Sequence, residues 1–418
     1  MLCKIYSLLL LFTLSAAASV AQRVATFQVE VEDDRAFAVP VRVDLDAITH
    51  LPDSVLYLVA VQGRNTRAMP FQIHKNGRRF LHWMIAPQSG GPKKLTFALQ
   101  QGRPPGTVQE AVEVAAEEGH LTIRANGKNL LRYNYETVYP PQGVDTVFKR
   151  SGFIHPLWSP HGQVLTRLSP PDHYHHFGIW NPWTKVKFEG ETVDFWNLAK
   201  KQGTVRFAGF ASVTDGPVFG EYKALHEHVV FEKDGGEKVA MNEVQSVRIY
   251  RPGGSQDYYI ADITIQLNPA TASPVLLEEY RYGGLGWRAT EKWNRDNSRV
   301  LTSGGRARKE ADGTNARWCL VAGAIDGDSA GVVMMSFPAN YNHPEPLRIW
   351  PEDSNGRGDM YANFSPTRDM DWRLESGENY LLRYRFLVFN GSVPRERAEE
   401  AWQAFARPPR VTVKISRE

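Results

Sequence analysis

Hydrophobic and polar residues alternate along much of the chain, which is the pattern of β-strands with one buried face. The strand-like segments of the first hundred residues are 27–31, 41–45, 55–61, 71–73 and 95–99. A glycine- and proline-rich segment at 102–106 follows them and is typical of a linker. We therefore predict a small N-terminal β domain over residues 22–103.

Longer strand-like segments occupy the second part of the chain, at 220–231, 239–250 and 258–267. The turn sequences Asp234-Gly235-Gly236 and Pro252-Gly253-Gly254 separate them. Long consecutive strands joined by tight turns indicate an antiparallel arrangement. We predict a mainly β fold, with a large antiparallel β-sandwich domain over residues 108–418 and one short helix at 394–405.

Residues 1–21 have the composition of a signal peptide. Lys4 precedes an apolar run at 5–14, and Ser19-Val20-Ala21 matches the small-x-small form of a cleavage site. This run is shorter than the roughly 20 residues that span a bilayer, and no later segment is apolar enough to do so. We predict a periplasmic or secreted protein without a membrane span.

The net charge bears on the choice of partner, and the cysteine content bears on disulfide formation. The formal net charge is only +3, so nothing in the overall charge favours nucleic acid as a partner. Cleavage after Ala21 would leave Cys319 as the one cysteine, and a disulfide within the chain would then be impossible. Cys319 lies in an apolar strand-like run, which predicts a buried thiol and not a nucleophile.

The segment 172–180 carries the densest group of histidines, with His173, His175 and His176 in four consecutive positions. Pro170 and Pro171 precede it and stiffen the loop. Histidine titrates near neutral pH, so we predict that His175 and His176 are catalytic and that His173 contacts the substrate. The alternative is a polar network that only ties the loop to the sandwich.

Tryptophans and a carboxylate follow this segment. Trp180 and Trp183 are predicted to stack on a sugar ring, although such clusters also occur in protein cores. Asp194 precedes Phe195-Trp196 and is a candidate to orient an imidazole. A carboxylate that caps a turn is the equal alternative for Asp194.

Two later segments supply further candidates. Glu279 and Arg288 flank a glycine-rich bend, where we predict a general base and a clamp for a carboxylate or hydroxyl group. A salt-bridged β-bend is the alternative. The second proline-rich loop, at 337–350, adds His343 as a catalytic candidate and Asn340 as a substrate contact. Two such loops on one sandwich can face each other across a pocket.

The evidence for a metal site is weak in the sequence. His226 and His228 are spaced to share one face of a strand, and we interpret that face as solvent-exposed. The pattern His-Glu-x-x-His and paired cysteines are absent. We therefore predict no metal ligand, and the cofactor stays open.

Four motifs occur in order along the second domain: Asp-His-x-His-His-x-Gly-x-Trp at 172–180, Val-Asp-Phe-Trp at 193–196, Gly-Gly-Leu-Gly-x-Arg at 283–288 and Asn-x-x-His-Pro at 340–344. Together they resemble the bacterial PmoA-like family of uncharacterised exported proteins. The family label borrows from a methane monooxygenase subunit that is an integral membrane protein, so methane oxidation does not carry over. Arg281-Tyr282 stands where the family has a Lys-Glu pair, which leaves Glu279 as the neighbouring carboxylate.

The resemblance also implies a fold. Such proteins are similar to the large sandwiches of the galactose-mutarotase type, and the N-terminal domain is similar to the small β-barrel that precedes such sandwiches in some exported polysaccharide lyases. Both likenesses are analogies of fold, and function depends on the site.

Three hypotheses about function follow. The leading one is an exported enzyme, a lyase, hydrolase or epimerase-like protein, that acts on a small-molecule saccharide or an oligosaccharide. The second is a saccharide-binding module that needs the aromatic rings but no proton-transfer group. The third is a metal-dependent enzyme with ligands from the two histidine loops, His173, His175, His176 and His343.

Overall fold

The structure is a computed structural model that describes residues 22–31, 34–102, 111–250 and 257–416. The predicted signal peptide at 1–21, most of the predicted linker and the predicted turn at 252–254 lie outside these residues.

The N-terminal unit consists of two antiparallel sheets that share one core. Its strands are β1 (Gln22–Val31), β2 (Val39–Asp44), β3 (Leu56–Gln62), β4 (Asn65–Met69), β5 (Phe71–Asn76), β6 (Arg78–Ile85) and β7 (Lys93–Gln101). One sheet has the order β1-β7-β3-β4 and the other β2-β6-β5. Alternation buries Phe27 of β1 and Phe97 of β7 against Trp83 of β6, with ring centroids 5.4 and 5.5 Å from the indole.

The last strand of the chain returns to this N-terminal unit. β28 (Arg410–Ile415) pairs antiparallel with β1 and becomes the edge of its sheet. The division into domains at 22–103 and 108–418 stays a prediction. It assigned residues 410–415 to the second domain, whereas β28 pairs with β1 of the N-terminal unit. The two ends of the chain therefore stabilise the same sheet.

The remaining strands form the large unit. They are β8 (Val112–Glu117), β9 (His120–Ala125), β10 (Lys128–Asn134), β11 (Phe153–Leu157), β12 (Ile179–Trp180), β13 (Val186–Phe188), β14 (Glu191–Val193), β15 (Gly203–Thr214), β16 (Phe219–Phe231), β17 (Glu237–Tyr250), β18 (Tyr258–Pro269), β19 (Val275–Leu277), β20 (Gly286–Arg288), β21 (Ser298–Thr302), β22 (Trp318–Ile325), β23 (Asp328–Ser336), β24 (Leu347–Ile349), β25 (Tyr361–Phe364), β26 (Trp372–Leu374) and β27 (Tyr380–Asn390). Two α-helices accompany them, α1 (Arg308–Ala311) and α2 (Arg395–Ala406). Short 3-10 turns lie at Asp53–Val55, Thr146–Phe148, Leu198–Lys200 and Ser354–Gly356.

Two eight-stranded antiparallel sheets make the sandwich. The front sheet has the order β24-β25-β20-β12-β11-β10-β9-β8, and the back sheet has the order β15-β16-β17-β18-β27-β23-β22-β21. A smaller sheet, β14-β13-β19-β26, joins them. Buried residues of the facing sides form one continuous core. The predicted mainly β fold with a large antiparallel sandwich is confirmed.

The outer face of the back sheet is covered by α2. Trp402 and Phe405 of this helix pack against Trp318 and Leu387 of the sheet. The indole Nε1 of Trp402 also donates a hydrogen bond of 2.9 Å to the carbonyl oxygen of Ser336. The predicted helix at 394–405 is confirmed, and its apolar side is the side that packs.

His226 and His228 correct one sequence interpretation, because they lie in the core and not on a solvent face. They are 2% and 0% exposed, and both contact the carboxylate of Glu243 on β17, at 2.9 and 3.1 Å. Asn181 donates to the same carboxylate at 2.8 Å. A buried carboxylate with three nitrogen partners satisfies groups that would otherwise be costly to bury.

Cys319 of β22 is fully buried, and burial raises the pKa of its thiol to about 12. The predicted buried, unreactive thiol is confirmed. In the parts of the chain described above, no helix is both long and apolar enough to cross a membrane.

The Glu243 cluster gives a stability prediction. Replacing Glu243 by Ala leaves His226 and His228 buried without their acceptor, so the free energy of unfolding should fall by about 3–5 kcal/mol. Glu227→Ala is the matched control, because Glu227 lies on β16 in a partly exposed pair with Arg206 and should cost less than about 1 kcal/mol. Guanidinium unfolding followed by fluorescence measures both. Equal losses in the two variants would contradict the prediction.

Candidate functional site

The candidate site lies on the outer face of the front sheet, where β24, β25, β20 and β12 are neighbours. Alternation along these short strands sends Ile179 and Trp287 into the sandwich core and leaves Trp180 and Arg288 on the other face. Loops before and after these strands cover that outer face and carry the polar side chains. The sheet therefore acts as a rigid base for a site that is built from loops.

The histidine loop is a compact double turn before β12. His173 N donates to the Pro170 carbonyl at 2.9 Å, and His176 N donates to the His173 carbonyl at 3.0 Å. The His176 carbonyl accepts from Ser169 N at 2.8 Å and closes the loop. Gly178 ends the loop at φ +63°, where an added Cβ would overlap the Ile154 carbonyl oxygen. This backbone places three imidazoles side by side.

The three imidazoles contact one another. Ring centroids are 4.7 Å apart for His173 and His176, 4.9 Å for His175 and His176, and 5.3 Å for His173 and His175. One ring nitrogen from each lies within 4.8 Å of the other two. The structure therefore brings the three histidines together, and the predicted catalytic roles of His175 and His176 and the predicted substrate contact of His173 stay predictions.

An ion network around the buried Arg288 supports the loop. The Asp172 carboxylate accepts from His173 Nδ1 and pairs with Arg288 Nη2, both at 2.8 Å. The same Arg288 nitrogen lies 2.7 Å from the Asp359 carboxylate. The Arg288 guanidinium also stacks over Trp350, 4.5 Å from the ring centroid. The predicted ligand clamp at Arg288 is corrected, because its charge is used within the protein.

Electrostatics favours the neutral form of the His175 and His176 imidazoles and the charged form of the Asp172 carboxylate. Burial, followed by the charge of His173, lowers the pKa of His175 to about 4. Burial and the neighbouring cations lower the pKa of His176 well below its ordinary value. Burial opposes the ionisation of Asp172, but the His173 hydrogen bond and the Arg288 charge hold its pKa below the usual range.

A pocket of about 230 Å³ opens beside the imidazoles. Its wall combines polar groups with aromatic rings and consists of His173, His175, His176, Thr184, Trp196, Asn197, Tyr280, Arg281, Tyr282 and Trp350. All three histidines of the loop therefore reach one cavity, together with four aromatic side chains from other loops.

Tyr282 is part of the pocket wall and is held there by two neighbouring side chains. Its Oη accepts hydrogen bonds from Arg348 Nη2 at 2.9 Å and from Trp350 Nε1 at 3.0 Å. Among the described residues no acceptor binds its O–H. Gly286 makes room for the neighbouring rings of Tyr361 and Trp196, because an added Cβ would overlap Tyr361 Oη and lie 3.3 Å from the Trp196 ring.

Asp194 acts on the pocket through the backbone. Its carboxylate accepts from Trp196 N, Asn197 N and Asn197 Nδ2, each at 2.8 Å, and Lys200 Nζ lies at the same distance. The turn-capping alternative therefore describes its contacts, and its predicted catalytic contact with an imidazole is absent among these bonds. The cap fixes two residues of the wall, Trp196 and Asn197.

Other candidates lie outside the pocket. Trp183 is 1% exposed and packs in the sandwich core near Trp372, and Trp180 is buried beneath His176. Neither indole is accessible to a ligand, so their predicted stacking role is corrected. Glu279 is exposed, and its backbone N donates a hydrogen bond of 2.6 Å to the Asp371 carboxylate. Its predicted role as a base is not supported by its position.

The second histidine loop forms a separate network. Asn340 Nδ2 and Ser336 Oγ donate to Glu345 Oε1 at 2.8 and 2.5 Å, and Tyr384 Oη donates to Glu345 Oε2 at 2.9 Å. His343 Nδ1 lies 3.2 Å from Ser336 Oγ. Neither Asn340 nor His343 lines the pocket, so the histidines of the two loops do not face each other across it. Trp350, at the end of the second loop, does line the pocket.

The sequence analysis did not assign roles to Tyr280, Arg281, Tyr282, Trp196 or Trp350, which all line the pocket. Trp196 ends the motif at 193–196, Trp350 ends the second proline-rich loop at 337–350, and the other three precede the motif at 283–288. The departure from the Lys-Glu pair at Arg281-Tyr282 was the available signal, because it marked a position where the side chain matters.

Glu345 gives a prediction of pH dependence. Burial raises the pKa of its carboxyl to about 7, against hydrogen bonds that lower it. The unfolded chain ionises this group near its ordinary value of 4.5, so the folded state binds more protons between these values and stability falls as pH rises through them. Glu345→Gln removes this loss. The unfolding free energy of the variant, relative to that of the parent, should increase by up to about 3 kcal/mol between pH 5 and pH 8. A difference that does not change with pH would contradict the assignment.

Comparisons with known proteins found one matching family and several solved structures of low sequence identity. A protein in the glycosyl hydrolase family 38 from Enterococcus faecalis is 8% identical, with a TM-score of 0.47, over 94% of this chain and 48% of its own. An alpha-mannosidase from Enterococcus faecalis V583 is 8% identical, with a TM-score of 0.49, over 95% and 47%. A heparinase III is 9% identical, with a TM-score of 0.31, over 70% and 37%.

This chain thus spans about half the length of the first two of these structures. No curated protein matches it. Residues 120–403 match the family described as a family of unknown function, DUF6807. The matched range holds both histidine loops and every residue of the pocket wall, and it covers more than half of the chain. The chain belongs to the DUF6807 family.

Proposed function

We propose that the chain is an exported enzyme that acts on a saccharide in the pocket beside His173, His175 and His176. The composition of the pocket wall carries this proposal, because it combines imidazole, phenol, guanidinium, hydroxyl and amide groups with two indole rings. Aromatic rings offer an apolar surface to the carbon faces of a sugar, and convergent polar groups bind its hydroxyls. The reaction is a lyase, hydrolase or epimerase-like step.

The size of the pocket favours one sugar unit as the group that is bound. Ligand pockets commonly have volumes of about 300–1,000 Å³, and this one has about 230 Å³. An extended oligosaccharide would therefore contact it with a single residue. A monosaccharide or the end of a chain is the substrate form that fits.

Arg281 favours an acidic sugar. It lines the pocket, and within the described ranges no carboxylate pairs with it, in contrast to Arg288. Its guanidinium lies 5.6 Å from the centroid of the Tyr282 ring, at the wall where the phenol is held. A uronate carboxylate supplies the bidentate partner that such a free guanidinium binds well.

Tyr282 is the proposed proton donor. Two N–H groups already donate to its oxygen, so its own hydrogen is available to a ligand. The same two donors stabilise negative charge on the oxygen when the proton leaves. Burial favours the neutral form of the His175 and His176 imidazoles, and we propose that this part of the pocket, the acceptor side, receives a proton or a ligand oxygen.

The proposed location outside the cytoplasm rests on the signal-peptide pattern of residues 1–21.

The substrate class can be tested by thermal shift with neutral and acidic monosaccharides. We expect uronic acids to stabilise the protein by about 2.7 kcal/mol at 100 times their dissociation constant. Arg281→Gln should lose this preference, whereas Arg299→Gln, an exposed arginine on β21, should retain it. Equal stabilisation by neutral and acidic sugars in all three proteins would contradict the role of Arg281. No shift with any sugar would contradict the saccharide proposal.

The proton donor can be tested with Tyr282→Phe. Loss of one general acid should lower turnover of the sugar identified by thermal shift by roughly 10²- to 10⁴-fold, with little change in affinity. Tyr139→Phe is the control, because Tyr139 is 62% exposed and does not line the pocket. Full turnover in Tyr282→Phe would remove this role. A parent protein that binds the sugar without converting it would favour a binding module.

A further inference from the structure

We propose that His173, His175 and His176 together bind a divalent transition-metal ion, with Zn²⁺ as the first candidate. The proposal stands on the positions and partners of the three imidazoles. It rests on the proposed function and deepens it, because the ion would bind an oxygen atom of the saccharide in the pocket.

The three imidazoles are close enough to share one ion. Bonds of about 2.0–2.1 Å place the nitrogens around a single Zn²⁺ no more than about 4.2 Å apart. The ligand nitrogens of this cluster lie within 4.8 Å of one another. The proposal requires the rings to rotate so that the nitrogens approach to this distance.

Asp172 supports His173 as it would support a ligand. His173 Nδ1 lies 2.8 Å from the Asp172 carboxylate, which fixes the hydrogen on that nitrogen and leaves the lone pair on Nε2. Metal-binding histidines usually donate their second nitrogen to a carboxylate in this way. Arg288 and Asn355 hold the carboxylate in turn, each at 2.8 Å.

A histidine cluster that only stabilised the loop would satisfy its own ring nitrogens. His176 Nδ1 is buried without a hydrogen-bond partner, and across the described residues His175 makes no side-chain hydrogen bond. Leaving such groups unpaired is costly. Coordination of an ion through His176 Nδ1 would remove that cost for the buried nitrogen.

The ligand set points to a class of ion. Imidazole nitrogens favour zinc, copper, nickel and iron, whereas calcium and magnesium prefer oxygen ligands. Three protein ligands leave a position for water or substrate, as catalytic zinc sites do. Here the open side is the pocket that holds Tyr282 and Arg281. A sugar oxygen on the ion would therefore lie between the metal and the proposed proton donor.

Metal analysis and titration test the inference. The untagged chain, purified without chelators, should contain about one ion per protein, and the chelator-treated protein should regain one equivalent of Zn²⁺ in calorimetry. Co²⁺ bound in its place should give a visible spectrum that changes when a ligand enters the pocket. These readouts do not depend on enzyme activity.

Variants assign the ion to the cluster. His175→Ala should abolish the stoichiometric Zn²⁺ site, and Asp172→Asn should weaken it by roughly 10- to 100-fold while the three ligands remain. His161→Ala is the matched control, because His161 is a partly exposed histidine paired with Asp328 away from the pocket. It should bind Zn²⁺ like the parent.

Two results would overturn the inference. One is a chelator-treated parent that takes up none of Zn²⁺, Co²⁺, Ni²⁺ or Cu²⁺. The other is a His175→Ala variant that binds Zn²⁺ as the parent does. A chelator-treated protein that binds a saccharide but takes up none of these ions would overturn the metal site alone, and a metal-loaded protein without saccharide binding would overturn the proposed function alone.

Discussion

The candidate site depends on one buried guanidinium. Arg288 lies on a strand of the front sheet, and its charge is compensated by Asp172 from the histidine loop and Asp359 from the loop before β25. A guanidinium that is 1% exposed cannot be left without such partners. The need to compensate this charge fixes both loops on the sheet. His173 is fixed with them, because it bonds to the same Asp172 carboxylate.

The hydrophobic core and the candidate site lie on opposite faces of the front sheet. Apolar residues between the two large sheets make one continuous core, and its main polar group, Glu243, is matched by histidines. The outer face of the front sheet carries short strands and long loops, and there polar side chains turn towards a cavity. The wall residues are positioned by partners behind them, as Asp194 positions Trp196 and Arg348 positions Tyr282.

Local patterns in the sequence predicted the long strands, the C-terminal helix and the histidine loop, because alternation, turns and spacing are properties of adjacent residues. Contacts between distant segments could not be obtained in this way. His226 and His228 were placed on a solvent face because the sequence does not say which sheet covers a strand. Trp183 and His343 have the right chemistry, but packing directs them away from the pocket. The proposed role of Tyr282 depends on its hydrogen bonds with Arg348 and Trp350, which are distant from it in the sequence.

The central proposal is that the three imidazoles share one ion beside the pocket. Anomalous diffraction at the zinc edge, from crystals of the protein grown with Zn²⁺, tests that claim most directly. The account predicts one strong peak within bonding distance, about 2.1 Å, of a nitrogen of His173, His175 and His176. A protein with ordered imidazoles and no peak among them, or with its zinc bound only elsewhere, would contradict it.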